Sequence, residues 1–317
     1  MATMNYNQAS DDAIRHEMRR DPTVFIAGED VRCKNKDFLD EFGPKRVVNM
    51  PISEAQIIAL GVGASAMGLR PVLVMSFMDF LGVCMDEIIN QAAKMSFMLG
   101  GQTCLPMVIN ANMGAGIRSA AQHSQSFETV FAHFPGLKVV IPSCPAKAKG
   151  LMAQAIRDDN PVLLLDHKRL GGMEADVPEG DFALPFGKAD IVREGKDISL
   201  VTWGYMVRDC LAAAETLAGR GVSAEVIDIV SLTPLDEAAI LASARKTGRV
   251  VIAHEATLHA GFGGEIAARI ADKAFGALKK PIKRVGAPFV PVPFSPPLED
   301  AYLPNAASVL KAAAEIL

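Results

Sequence analysis

No CxxC pair, no surplus of positive charge and no long apolar run occur in this sequence, and each absence removes a class of protein. The five cysteines, Cys33, Cys84, Cys104, Cys144 and Cys210, are odd in number and scattered. That argues against a disulfide framework or a zinc site and for buried, inert thiols in a reducing, cytoplasmic setting. A formal net charge of -4 gives no electrostatic footprint for nucleic acid. No uninterrupted stretch approaches the ~18 apolar residues of a membrane span. The opening residues MATMNYNQASDD have neither the basic start nor the apolar core of a secretory signal. Charged residues make up only 21% of the chain while half of it is hydrophobic, so surplus apolar surface is expected to be buried between subunits. A P-loop is missing. Gly61-x-Gly63-x-x-Ala66 matches the dinucleotide fingerprint only superficially, since its glycines lie inside an expected helix and the strand follows instead of preceding.

What is present is an alternation of short apolar runs with helical segments. Strands are expected at Val24–Ala27, Val47–Met50, Pro71–Met75, Pro106–Ala111, Lys138–Ile141 and Pro161–Asp166. Helices are expected over Asn7–Arg20, from Ser53, over Asp79–Leu99, about Ser126–His133 and over Pro145–Arg157, with residues 31–46 as polar loop. Nearly continuous apolar strands indicate a parallel sheet covered on both faces. Residues 167–187 lose the pattern and read as a linker. A second alternation follows, with strands near 188–193, 198–203, 224–229, 250–254 and 282–285. Its helices cover 206–218, 236–246 and 263–275, and a proline-rich crossing leads to a last Ala-rich helix. The expectation is two α/β domains.

Candidate chemistry gathers in a few stretches. In PISEAQIIALGVGASAMGLR (Pro51–Arg70), Ser53 and Gln56 read as a capping box. Gly61, Gly63, Ala64, Ser65, Ala66 and Gly68 leave one helix side nearly bare for close packing. Glu54 in the first turn is either helix-dipole decoration or a buried acid with a task. GAGIRSAAQHSQ (Gly114–Gln125) joins a glycine turn to His123, placed after a strand where parallel sheets hold ligands and able to move a proton near neutral pH. A hydrogen-bonded structural histidine is the equal alternative. Phe80, ahead of a helix, is either an aromatic platform or plain core. His254, Glu255 and His259 lack the set a metal site needs and read as structural or interfacial.

Taken together, PISEAQ, DFLGVCMDEIINQAAK, GAGIRSAAQHSQ, FPGLKVVIPS, AIRDDNP and VPVPFSPPLED, in this order, resemble the beta subunit of the thiamine-diphosphate-dependent first (E1) component of 2-oxoacid and acetoin dehydrogenase complexes. The resemblance covers nearly the whole chain. It implies a transketolase-like pyrimidine-binding domain over residues 1 to about 180 and a transketolase C-terminal-like domain over 188–317. By the same match, Glu54 hydrogen-bonds the aminopyrimidine ring of the cofactor. It must hold a proton near neutral pH, which burial beside a small-residue helix favours. Phe80 stacks on that ring, and Ser76 stands where relatives often carry a methionine near the cofactor. His123 assists proton movement or reductive acyl transfer to a lipoyl arm. AIRDDNP resembles the family's potassium loop, implicating Ala155, Ile156, Asp158 and Asn160 with a backbone oxygen near Met107; an ordinary helix C-cap is the other reading.

The family's alpha subunit carries the magnesium and diphosphate motif, GDG followed by paired asparagines, and this sequence has none. The resemblance therefore implies half an active site. An alpha partner supplies Mg²⁺ and completes a heterotetramer of two alpha and two beta chains, and a lipoyl-bearing E2 acyltransferase lies downstream. The implied reaction is oxidative decarboxylation of a 2-oxoacid, pyruvate or branched-chain, or cleavage of acetoin. A non-catalytic assembly subunit and a thiamine-dependent transferase with another substrate are the alternatives. Between Gly28–Val31 and Phe42–Val47 the segment RCKNKDFLDE is shorter than the glycine-rich stretch usual in relatives.

Overall fold

The computed structural model describes residues 1–317. They divide into two units, residues 1–113 with 130–186 and residues 114–129 with 187–317. The stretch 114–129, inside the first domain as bounded from sequence, thus groups with the second unit.

In the first unit β1 (Ala2–Asn5) leads into α1 (Tyr6–Arg20). Strands β2 (Val24–Glu29), β3 (Val47–Met50), β4 (Arg70–Met75), β5 (Val108–Met113), β6 (Lys138–Val140) and β7 (Val162–His167) follow, and β8 (Glu174–Val177) comes last. The order is β6-β7-β5-β4-β2-β3, and every neighbouring pair is parallel. Val72, Leu73, Val108, Ile109 and Leu163 are among the strand residues sealed from solvent, as a sheet covered on both faces demands. The strands β2 and β4 are adjacent while β3 lies outside them, so the connection after β3 reverses direction. A parallel sheet opens a crevice at the carboxyl ends of its strands at such a reversal. The connecting helices are α2 (Val31–Lys34), α3 (Lys36–Phe42), α4 (Glu54–Ala66), α5 (Met95–Met98), α6 (Glu128–Ala132) and α7 (Pro145–Arg157).

Four expectations are corrected here. The linker segment holds β8, which pairs antiparallel with β1, neither strand being legible as an apolar run. The first helix is capped by Asn5, whose side chain accepts from Gln8 N while Gln8 returns a bond to Asn5 N. The box expected at Ser53 is not formed, since the Ser53 side chain makes no cap bond. Residues 31–42 fold as α2 and α3 instead of a loop. Phe38 is buried beneath Arg15, which pairs with Asp37 and Glu41. The long helix expected over 79–99 is broken into a 3-10 segment Met78–Cys84, a π-helical turn Glu87–Ala92 and the short α5. In the wide turn Ala93 N donates to Ile88 O, five residues back. Such a departure re-aims the side chains on either side of it.

The second unit has the sheet order β14-β13-β10-β11-β9. Its strands are β9 (Asp190–Arg193), β10 (Ile198–Thr202), β11 (Ala224–Asp228), β13 (Val250–Thr257) and β14 (Lys283–Ala287), with the short β12 (Ser231–Thr233) outside that order. All pairs are parallel except β9 with β11. The helices are α8 (Met206–Ala218), α9 (Glu237–Thr247), α10 (Gly263–Ala274), α11 (Pro296–Tyr302) and α12 (Ala306–Ala314). Ile198, Leu200, Val226, Val251, Cys210 and Val309 centre its core. The helix α11 starts inside the stretch read as a proline-rich crossing, where Pro296 and Pro297 occupy the first turn that tolerates them.

The small-residue helix α4 has two kinds of glycine. A Cβ on Gly61 would lie 2.3 Å from Leu73 Cδ1 and 2.9 Å from Met107 Cε, so only glycine lets α4 sit this close to β4. Around Gly63 nothing lies within 4 Å. Gly61→Val is expected to cost about 1–3 kcal/mol by overpacking. Gly63→Ala should gain about 0.5–1 kcal/mol in the isolated chain through helix propensity. Urea midpoints of the two variants test the opposite signs.

Candidate active site

In the first unit the carboxyl ends of β3 and β4 carry the candidate groups. Glu54 is the first residue of α4, reached from β3 through Pro51–Ser53. It is half-buried, and its carboxylate enters no hydrogen bond or ion pair with the rest of the chain. A carboxylate at a helix N-terminus gains from the dipole, yet this one is left open to a donor from outside. Ser76 follows β4 directly, and its carbonyl accepts from Asn112 Nδ2 at 3.0 Å, which fixes the turn leaving the strand. Phe80 lies in the 3-10 segment, half-buried, with its ring edge-to-face to Phe77 at 5.8 Å between centroids. Cys84 ties these groups together. Its Sγ donates to Phe80 O at 3.4 Å, and burial, reinforced by the charges of Glu54 and Glu87, pushes its thiol up to about 12. A thiol raised this far stays protonated near neutral pH.

His123 belongs to the second unit, in the loop Gly114–Thr129. The loop closes on itself where Gly114 N donates to Gln125 O at 3.1 Å. His123 is half-buried. Arg118 and Ala120 hold positive φ, at 62 and 58°, a strained backbone for non-glycine residues and one that surrounding structure must enforce. Two carboxylates anchor this loop; the sequence reading gave Glu299 no role and took Glu255 only as structural or interfacial. Glu255, at the end of β13, accepts from Ala115 N at 2.7 Å and from Ser126 Oγ at 3.3 Å. Glu299 of α11 accepts from Gly116 N at 2.7 Å and from Arg118 N and Nη1. Glu128 is sealed from solvent and accepts from Trp203 Nε1 at 3.0 Å. The available signal was the lone arginine in GAGIRSAAQHSQ and the acidic pair in PPLED, which meet as Arg118 with Glu299 and Asp300.

His254 is fully buried and stacks on Trp203, its Nδ1 3.0 Å from Ala256 O. Its Nε2 has no partner, and Gly261, Gly263 and Gly286 make room for the ring. Burial holds this imidazole at about 4, neutral at physiological pH. It is a structural histidine, in keeping with the expectation from sequence.

The AIRDDNP loop is held by the chain's own cations. Arg70 Nη1 donates to Ile156 O and Asp158 O at 3.0 and 3.1 Å, and Lys138 pairs with the Asp158 carboxylate. The other Asp158 oxygen takes Asn160 N and Nδ2, the Ala155 carbonyl takes Asp158 N, and the Met107 carbonyl takes Val162 N. Oxygen donors suit potassium, but a guanidinium and an ammonium already neutralise this set. With those two cations in place the loop fits a further cation poorly. Exchanging potassium for sodium is expected to leave the thermal midpoint within about 2 °C, while Lys138→Met lowers it by several degrees; scanning fluorimetry in the two salts measures both.

Residues 2–174 match the transketolase pyrimidine binding domain, and residues 187–309 the transketolase C-terminal domain. The chain is 47% identical to the acetoin:2,6-dichlorophenolindophenol oxidoreductase subunit beta of Cupriavidus necator, covering 96% of this chain and 95% of that one. It is 40% identical to the 2-oxoisovalerate dehydrogenase subunit beta of Bacillus subtilis, covering 100% and 99%. Identity is also 40% to the pyruvate dehydrogenase E1 component subunit beta of the same organism, with the same coverage. Among solved structures a split-gene transketolase, an inactive beta4 tetramer, superposes with a TM-score of 0.83 at 25% identity over 99% of this chain and 98% of its own. No helix is long and apolar enough to cross a membrane. The chain belongs to the transketolase-like family of E1 beta subunits of 2-oxoacid and acetoin dehydrogenases.

Proposed function

We propose that this chain is the beta half of a thiamine-diphosphate-dependent E1 enzyme, active only with an alpha subunit, that cleaves acetoin or decarboxylates a 2-oxoacid and passes the acyl group to a lipoyl-bearing E2. The observation that carries it is the open Glu54 carboxylate at the carboxyl edge of the sheet, with Phe80 on the neighbouring 3-10 segment. A carboxyl without a partner in its own chain suits a ring nitrogen of the cofactor, and a half-buried phenyl suits a stacked pyrimidine. Bound thiamine diphosphate supplies a carbon nucleophile for the substrate carbonyl. Glu54 holds and exchanges a proton at the pyrimidine ring, Phe80 and the Ser76 turn orient it, and His123 moves a proton at the acyl-transfer step. Mg²⁺ enters with the diphosphate through the alpha subunit.

Exposed apolar side chains support the partner. Ile52, Met67, Val83, Phe97, Met98 and Leu99 of the first unit are exposed, Phe97 to 89%. That is the surplus expected of a chain that buries area against another. The identity of 47% to an acetoin-oxidising relative, against 40% to the B. subtilis 2-oxoacid relatives, supports acetoin as the first substrate to test beside the 2-oxoacids. The test is co-expression with an alpha subunit and an assay of thiamine-diphosphate- and Mg²⁺-dependent reduction of an artificial acceptor. Acetoin, pyruvate and branched-chain 2-oxoacids are the panel. Turnover of acetoin above the others is the expected result. Silence on all of them from a correctly assembled, cofactor-loaded tetramer overturns the proposal in favour of an assembly subunit.

A further inference from the structure

The loop that carries His123 is held by two buried carboxylates from elements far away in sequence. Glu299, sealed from solvent in α11, receives Gly116 N at 2.7 Å, Arg118 N at 3.2 Å and Arg118 Nη1 at 2.7 Å. Glu255, at the end of β13, receives Ala115 N at 2.7 Å and Ser126 Oγ at 3.3 Å. The loop is thus fixed at its first residues by both acids and at its last by Glu255. His123 lies on the arc between these anchors. Bonds from backbone N–H groups to a charged acceptor in a low-dielectric site are about twice as strong as neutral ones. They are the kind of interaction that can enforce the positive φ of Arg118 and Ala120. Arg118 completes the arrangement, with Nη2 on Asp300 at 2.7 Å and Nη1 also on Pro296 O.

We infer that Glu255 and Glu299 are positioning residues, a two-carboxylate clamp that sets the loop backbone and thereby presents the His123 imidazole. The inference rests on the role proposed above for His123. It differs from ordinary loop anchoring in its asymmetry. Two acids from other elements hold backbone donors at 115, 116 and 118, so the geometry of the arc depends on those acids. Loss of a clamp carboxylate should therefore loosen the arc without unfolding the second unit, whose core of Ile198, Leu200, Val226 and Val251 does not include the loop.

The experiment uses the assembled enzyme with its alpha subunit and the variants Glu299→Gln, Glu255→Gln, Arg118→Lys and His123→Gln. Hydrogen exchange of the peptide spanning residues 114–127 is read alongside kcat, KM and the pH–rate profile. The clamp requires exchange in that peptide to rise at least tenfold in Glu299→Gln and Glu255→Gln, with other peptides of the second unit unchanged. It also requires kcat to fall at least tenfold, with the limb of the profile that His123→Gln abolishes displaced. Arg118→Lys, which keeps both backbone bonds to Glu299, should lose less than threefold. If the acid variants exchange like wild type, or if exchange rises throughout the unit, the clamp is wrong. If exchange rises locally while His123→Gln itself keeps full activity, the role proposed for His123 fails and the clamp as a structural device stands. If an acid variant fails to assemble, Glu299→Asp, which keeps the charge on a shorter arm, must show the same local rise in exchange or the inference is rejected.

Discussion

Glu54→Gln is expected to abolish cofactor-dependent turnover of the assembled enzyme, by about 10²–10⁴-fold in kcat, while leaving the fold intact. The size follows from what the substitution removes. Glutamine is close to glutamate in shape and can still hydrogen-bond, but it neither gives nor receives a proton at neutral pH, so positioning survives and proton exchange is lost. Stability should change by no more than ~0.5 kcal/mol, because Glu54 is half-buried and pairs with nothing in its own chain. A loss of activity matched by an equal loss of secondary structure or of subunit assembly would instead make Glu54 a structural residue. Steady-state kinetics with thermal unfolding of the same preparation separates the two.

The second large effect is on acid stability. His254 has its pKa at about 4 in the folded chain against 6.5 in the unfolded one. Between those values the unfolded state binds more protons, so the stability that neutral His254 contributes is complete above about pH 6.5 and is lost as pH falls to about 4. At ~1.36 kcal/mol per unit the loss amounts to about 3 kcal/mol. Asp11, in the first unit, has the opposite sign over much of this window. Burial and the neighbouring charge of Asp37 raise its carboxyl to about 6 from 3.8, so its contribution is complete at low pH and fades as pH rises through 6. The difference between wild type and His254→Asn is therefore the quantity to measure. The variant should be less stable at pH 7 because a fitted ring is lost, and the gap should close by about 3 kcal/mol on going to pH 4. A gap that is constant with pH would show that His254 titrates normally.

Much of the architecture was legible because apolar runs and helix periods are local signals. The strand Val47–Met50 and the helices over 145–157 and 206–218 stand as the sequence periodicity places them, with strand ends elsewhere shifted by a few residues. The failures have a common cause. The strands β1 and β8 are polar and exist only because they pair with one another. The π-helical turn Glu87–Ala92 holds no proline or glycine within it, so nothing in its local sequence marks the break. In the segment 31–42, α3 takes its ion-pair partners from Arg15 and Arg19 on another helix, which local sequence does not show.

The candidate site divides in the same way. Glu54, Ser76 and Phe80 were singled out through motifs and lie at or just past the carboxyl end of a strand, and His123, singled out the same way, lies in the loop that follows β5. The groups that hold the His123 loop, Glu255 and Glu299, lie 140 and 183 residues from the backbone donors they receive. No spacing rule joins residues so distant; only the folded chain does. The same holds for Arg70 and Lys138, which reach the Ile156 and Asp158 oxygens of the AIRDDNP loop from separate elements.

The most direct measurement is calorimetric titration of thiamine diphosphate, with Mg²⁺, into this chain alone and into its complex with an alpha subunit. A beta half that offers Glu54 and Phe80 but no diphosphate motif should show no saturable binding alone and tight, Mg²⁺-dependent binding in the complex. Tight binding by the chain alone would contradict its assignment as half of an active site.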